Sequence, residues 1–369
     1  MRLPAALFML IVLLLPQGGG EFQDYHPDTL LWEENGGEAV SWSPDGRYIV
    51  SQMSSQQSMH FSFKYWVVDE WYFYEVRTQH KGIIRVFEWS PDGGCLATAF
   101  RDLFIFQTGA WIMRHNITLD TSIVRSMDWS PDGRYLAAGT ETGKVFIVDA
   151  ETWEVVDSFK AHELWTSALA WSPDSRHLAS GGRDGKVKIW SAQDWSLERT
   201  ISAHSNEVST LAWGKQHSLV SGGFDGAVVL WDPATGRKVK KLGSFPEGGA
   251  VFDVQWNTKY GMLLSSGSQG IMIFSTDNWT LLQVIGTVDG KPLTDVFHVS
   301  WEGGGRRFAS CTREHLYVWK QGARAEKPGE PPYMLYILTA LTVAVIASAG
   351  VLYARKSRRR SERHGRHKL

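Results

Sequence analysis

Seven times along this 369-residue chain a tryptophan closes a short apolar run, at Trp42, Trp89, Trp129, Trp171, Trp213, Trp256 and Trp301, in steps of 40 to 47 residues. A repeat of that length makes one supersecondary unit whose faces stay exposed unless further copies stack against it, so the whole chain between the first and last copies is committed to one array. Four of the tryptophans open the same turn: Trp42-Ser-Pro-Asp-Gly, Trp89-Ser-Pro-Asp-Gly, Trp129-Ser-Pro-Asp-Gly and Trp171-Ser-Pro-Asp-Ser. Proline pre-sets the backbone at the first turn position, and aspartate and glycine suit the rest of a tight turn between antiparallel strands. The pattern predicts an all-β array of seven units.

The best-formed unit runs from His162 to Trp190. After Trp171 and its turn come His-Leu-Ala-Ser at 177–180, Gly-Gly-Arg-Asp-Gly at 181–185 and Lys-Val-Lys-Ile-Trp at 186–190. The next repeats it with His204, Ser-Leu-Val-Ser at 218–221, Gly-Gly-Phe-Asp-Gly at 222–226 and Ala-Val-Val-Leu-Trp-Asp at 227–232. Over roughly residues 22–320 the chain resembles the WD-repeat family. The resemblance implies a seven-bladed β-propeller, each blade four antiparallel strands, a to d from inside to outside, around a channel. Alternation of apolar and polar residues at 186–190 and 227–231 independently fits half-buried strands.

The resemblance also implies a buried hydrogen-bonded chain of His, strand-b Ser or Thr, turn Asp and strand-c Trp. Carried over, this is His162, Ser180, Asp184 and Trp190 in the fourth blade, and His204, Ser221, Asp225 and Trp231 in the fifth. A Ser/His/Asp set invites a catalytic reading, but a nucleophile must reach substrate, and a set repeated in consecutive blades is scaffold. The second blade keeps His80, Thr98 and Asp102 without the tryptophan. The third has Ala138, Thr142 and Val148 instead, the sixth Ser265 and Gln269, and the seventh Ser310, Glu314 and Trp319. No catalytic residue, cofactor or metal is expected, because the histidines are scattered and no His/Asp/Glu grouping has ligand spacing. Cys95 and Cys311 fall in different blades and are not expected to pair.

The two ends place the chain at a membrane. Residues 1–20 carry one arginine, an apolar run from Leu3 to Leu15 and small residues after it, the pattern of a signal peptide. The propeller is expected over 21–320, with about 28–33 returning to complete the last blade and remove its open edge. A proline-rich, charged linker follows at 321–332. Residues 333–354 lack charge and, at ~1.5 Å per residue, would span about 33 Å as a transmembrane helix. The tail 355–369 holds eight Lys/Arg against one Glu, which the positive-inside rule puts in the cytoplasm and the propeller outside it. Ala340, Ala344 and Ser348 share one face of that helix, a weak signal for self-association. With the whole chain at −1, residues 21–354 are left at −9, a balance that argues against nucleic acid as the propeller's partner.

The expected partners are therefore other proteins. In the family the d–a and b–c loops form one rim where partners bind. Here three insertions lengthen such loops, at 51–61, 243–249 and 286–294. The residues just before the turn acid ring that rim: Arg101, Glu141, Arg183, Phe224, Ser268 and Arg313, with Trp165 on the same edge. Arginine and aromatic residues are the usual anchors of protein interfaces. Two other readings stand beside this one. A propeller enzyme or ligand sensor would use the central channel, and an exchange-factor-like propeller anchored to the endoplasmic reticulum would face the cytosol. Asn116-Ile-Thr and Asn278-Trp-Thr are glycosylation acceptors near outer strands. Trp111, Trp153, Trp195 and Trp279 recur at the c–d hairpins, where blade-to-blade packing is expected.

Overall fold

Six of the tryptophan-bearing units become four antiparallel strands bonded in chain order, and the seventh three strands joined by an N-terminal one, in the computed structural model, which describes residues 24–32, 39–52, 62–120, 122–214, 218–246, 248–303 and 305–322. Seven such sheets form the seven blades. Their innermost strands are Val40–Trp42, Val86–Trp89, Val124–Trp129, Thr166–Trp171, Val208–Trp213, Val251–Asn257 and His298–Trp301. Blade 4 shows the plan: Thr166–Trp171, His177–Gly182, Lys186–Ser191 and Leu197–Ser202, with the two middle strands buried and the outer one mostly exposed. The segments read as signal peptide (1–20), transmembrane helix (333–354) and basic tail (355–369) lie outside the described residues. Most of the linker does too; Gln321 is still strand. Among the described residues no helix is long and apolar enough to cross a membrane.

The Ser-Pro-Asp turns owe their sequence to a local bond pattern. Ser43, Ser90, Ser130 and Ser172 each donate Oγ–H to the turn aspartate at 2.6 Å. The same oxygens accept the N–H that opens the next strand, from Tyr48, Cys95, Tyr135 and His177. The fourth turn position is left-handed, with Gly46, Gly93 and Gly133 at φ 71–76°. Blade 4 puts Ser175 there at φ 58° and uses its hydroxyl to accept the N–H of Asp132 in blade 3.

Blades are stitched together along their inner strands. Asp128 of blade 3 accepts the backbone N–H of Trp171, Thr210 of blade 5 that of Val254, and Asp253 of blade 6 that of Val299. Ser300 of blade 7 accepts from Trp42 of blade 1 at 2.8 Å, which closes the ring. The outer strand of blade 7 is Tyr25–Trp32, paired with Leu316–Gln321 from Tyr25↔Gln321 to Trp32↔Leu316. It begins three residues before the expected 28. Pro27 is tolerated because an outer strand bonds on one side only. Tyr25 anchors it: the ring is 1% exposed, packs on Trp301 and Phe308, and its backbone exchanges two hydrogen bonds with the Gln283 amide of blade 6.

The hairpin tryptophans fill the seams between blades. Trp195 of blade 4 meets Tyr135 and Phe159 of blade 3 and Trp171 of its own blade. Trp111 of blade 2 stacks on Tyr65 of blade 1 at 4.0 Å, and Trp153 of blade 3 stacks on His115 of blade 2. Trp111, Trp153, Trp195 and Trp279 all sit at φ 53–61°, a region that disfavours side chains, where blade 5 has Gly236. Packing therefore outweighs a backbone penalty at four hairpins. Cys95 and Cys311 are both free thiols.

Candidate interaction surface

The polar sets read from the sequence are formed, and they are enclosed. Trp190 donates its indole N–H to Ser180 Oγ at 2.9 Å, Ser180 Oγ lies 2.9 Å from His162 Nε2, and His162 Nδ1 lies 3.0 Å from Asp184. Blade 5 repeats the chain through Trp231, Ser221, His204 and Asp225 at 2.7–2.8 Å. Both histidine side chains are fully buried. Burial pushes His162 below the usual imidazole range, against the pull of Asp184. Burial would raise Asp225, but the bond from His204 and the N–H groups of Ser205 and Ala227 hold it below the ordinary carboxylate value.

The other blades depart from this set through hairpin length or through residue type. In blade 2 His80 bonds Thr98 at 2.8 Å and stacks on Phe104, and burial drives its pKa to about 3. Its b–c hairpin is two residues shorter than that of blade 4, so Asp102 opens strand c instead of reaching the histidine. In blade 3 Ala138 and Val148 are fully buried in an apolar cluster. In blade 7 Trp319 donates to Ser310 at 2.7 Å, and in blade 1 Trp66 donates to Ser51 at 3.3 Å. The Ser51–Trp66 pair was not evident in the sequence, because an insertion separates its members by 15 residues.

The residues expected on the rim fall into two arcs and two isolated positions. Glu141, Trp165 and Arg183 come together across blades 3 and 4. The Trp165 ring is sandwiched between the guanidinium of Arg183 at 4.3 Å and that of Arg125 at 4.1 Å, and Arg125 is paired to Glu141. The Arg183 N–H also bonds the Trp165 carbonyl. The second arc runs from Phe224 in blade 5 through Phe252 in blade 6 to Phe297, entering blade 7, at centroid spacings of 6.0 and 5.3 Å. Arg313 lies over Phe297 at 5.5 Å. Arg101 stands alone on Phe100. Ser268 is spent locally: its hydroxyl accepts the Ala250 N–H, which holds the loop into blade 6.

Arg125, Phe252 and Phe297 were missed by reading the turns alone. Each stands four residues before its blade's inner tryptophan. At Arg125 and Phe252 the ladder skips a residue, as between Val124 and Ser126, so a β-bulge turns these side chains towards the channel mouth.

Below the rim the inner strands line a cavity of about 510 Å³. Its wall includes Glu88 and Asp253, with Asp128 in the adjoining blade wall. Burial lifts Asp128 to about 7, and burial together with the charges of Asp128 and Asp253 lifts Glu88. Among the described residues no three His, Cys, Asp or Glu side chains are placed to hold a metal ion.

Residues 131–302 match the protein-family model described as Vps42 beta-propeller. Among solved structures the chain is similar to one in a crystal structure of the mitotic checkpoint complex, at 19% identity and TM-score 0.70, over 84% of this chain and 97% of that one. Comparison with curated protein sequences gives no match. With the blade motifs, these likenesses show a WD-repeat-like β-propeller.

Proposed function

We propose that this protein is a membrane-anchored, extracytoplasmic scaffold that binds other proteins through the rim around its channel mouth. The observation that carries the reading is the pair of arcs, Glu141–Arg125–Trp165–Arg183 and Phe224–Phe252–Phe297–Arg313. They place half-exposed aromatic rings and oriented guanidinium groups side by side. Such residues dominate protein interfaces because they offer large contact area and strong directional bonds at modest entropic cost. We assign no catalytic role, since His162 and His204 are sealed in the blades with their serines.

The anchoring part of the proposal rests on the apolar run before residue 16, the uncharged stretch 333–354 and the basic tail. Two features support it. Asn116 and Asn278 are both exposed, on an outer strand and an outer hairpin, where a glycan could be accepted. The chain also leaves the propeller on the face away from the rim: Gln321 bonds Arg306 in the a–b turn of blade 7, whereas Arg313 sits in the b–c turn at the blade's other end.

Protease protection on sealed vesicles, with tags at Gly322 and the C-terminus, tests the orientation. Crosslinking from the propeller side then tests binding. Digestion of the propeller with a protected tail, and crosslinked proteins lost on Trp165→Ala, are expected. A protease-resistant propeller in right-side-out vesicles would instead favour the cytosol-facing alternative.

A further inference from the structure

In the b–c hairpins of the rim, three blades carry an arginine laid on an aromatic ring: Arg101 on Phe100, Arg183 on Trp165 and Arg313 on Phe297. All three are exposed, and none has an ion pair among the described residues. The contrast with Arg125 is direct, since that guanidinium is neutralised by Glu141. Building on the rim-binding reading above, we propose that the rim recognises a carboxylate-bearing segment of a partner protein. Its acidic side chains are held by Arg101, Arg183 and Arg313, and an apolar or aromatic side chain rests against Phe224 and Phe252.

Stacking fixes the plane of a guanidinium while leaving its edge N–H groups pointing outward, the geometry that takes a carboxylate through two parallel bonds. The turn acids of blades 4 and 5 do not compete for it. Asp184 is tied to His162 and the Lys186 N–H, and Asp225 to His204 and the N–H groups of Ser205 and Ala227. The local cationic ring stands out in a segment, 21–354, that carries −9, so charge complementarity selects an acidic partner here. Glu163 and Glu314 remain exposed on the same loops. They repel a continuous polyanion and favour a few placed carboxylates. Phe224, 40% exposed, supplies the apolar contact between the arginines of blades 4 and 7.

The test uses the full-length chain in nanodiscs, with the Lys and Arg residues of 355–369 replaced by serine in every protein compared so that the tail cannot bind the probe. Fluorescence anisotropy follows a labelled random copolymer of glutamate and tyrosine, with a lysine–tyrosine copolymer and an oligothymidylate as comparisons. The glutamate–tyrosine copolymer is expected to bind selectively. Arg183→Ala and Arg313→Ala should each weaken it about tenfold, with Arg183→Lys recovering only part because an ammonium is a point charge. Raising salt from about 50 to 300 mM should weaken binding to the unaltered rim but change little in the triple arginine variant. Phe224→Ser should weaken binding without altering the salt dependence. Absence of binding, indifference to all three arginines, or equal binding of oligothymidylate would overturn the proposal. Crosslinked partners that survive the triple arginine variant but not Trp165→Ala would sink acid recognition and leave rim binding standing. Loss of crosslinking in neither variant would remove both.

Discussion

Ser180 and Ser265 occupy the same position in strand b of blades 4 and 6, both fully buried, and the structure requires opposite outcomes when each becomes alanine. Ser180 Oγ serves two groups at once, the Trp190 indole N–H and His162 Nε2, each at 2.9 Å. Ser180→Ala strands both in a site without water access. Each buried polar group left unpaired costs about 1–3 kcal/mol, so the loss should be roughly 2–5 kcal/mol. Blade 6 has Phe274 where blade 4 has Trp190, no matching histidine, and a Ser265 hydroxyl without a partner among the described residues. Ser265→Ala removes an unsatisfied group and should be neutral or stabilise by up to about 1 kcal/mol. Urea unfolding followed by tryptophan fluorescence, at unchanged m-value, measures both. In a Trp190→Phe background Ser180→Ala should cost about half as much, because only the histidine remains stranded. Equal effects at Ser180 and Ser265 would refute the reasoning, since composition and burial are the same and only the bonding differs.

Three further outcomes follow from named contacts. Trp195→Gly should destabilise by about 2–4 kcal/mol through lost packing, yet be more stable than Trp195→Ala by about 1 kcal/mol, because alanine keeps the left-handed strain; thermal midpoints rank the pair, and alanine outranking glycine would contradict it. Asp128 holds its proton up to about pH 7 when folded but only to its ordinary value of 3.8 when unfolded. Folding therefore binds a proton between those limits, and stability falls as pH rises through them, by at most ~1.4 kcal/mol per unit. Buried His80 works the other way, its folded form refusing a proton down to about pH 3, so stability falls as pH drops below about 6.5. Asp128→Asn, which keeps an acceptor for Trp171, should gain on the parent protein from pH 4 to 7, and a pH-independent difference in urea midpoint would rule this out. Deleting 25–32 should open the edge of Leu316–Gln321 and give aggregates on size exclusion.

What could be read from the chain and what could not divides by the distance over which residues cooperate. The repeat, the turn and the four-residue sets of blades 4 and 5 lie within about 30 residues of one another, so spacing alone revealed them. Failures came where a hairpin changed length. A two-residue deletion moved Asp102 from turn to strand, and the insertion in blade 1 hid Ser51 from Trp66. The closing strand starts before Pro27, at Tyr25, because its ladder has a single strand partner, Leu316–Gln321, and a missing N–H on the other edge costs nothing. On the rim, residue types were legible and partnerships were not. Arg125 and Trp165 are 40 residues apart, and Phe252 and Phe297, across blades 6 and 7, are 45 apart. Such contacts join blade to blade, and they appear only once the ring is closed. A positional signal did exist, however: the residue four before each inner tryptophan. Read around the ring, beside Ser167 and Ser209, that position holds Arg85, Arg125, Phe252 and Phe297. It holds large side chains in blades 2, 3, 6 and 7 and serine in blades 4 and 5, although the ladder bulges at Ser167 and Ser209 just as it does at Arg125 and Phe252. Substituting Ser209 with arginine should therefore extend the cationic arc without loss of fold, and a variant that unfolds would show that the two serines are small because the blade seam demands it.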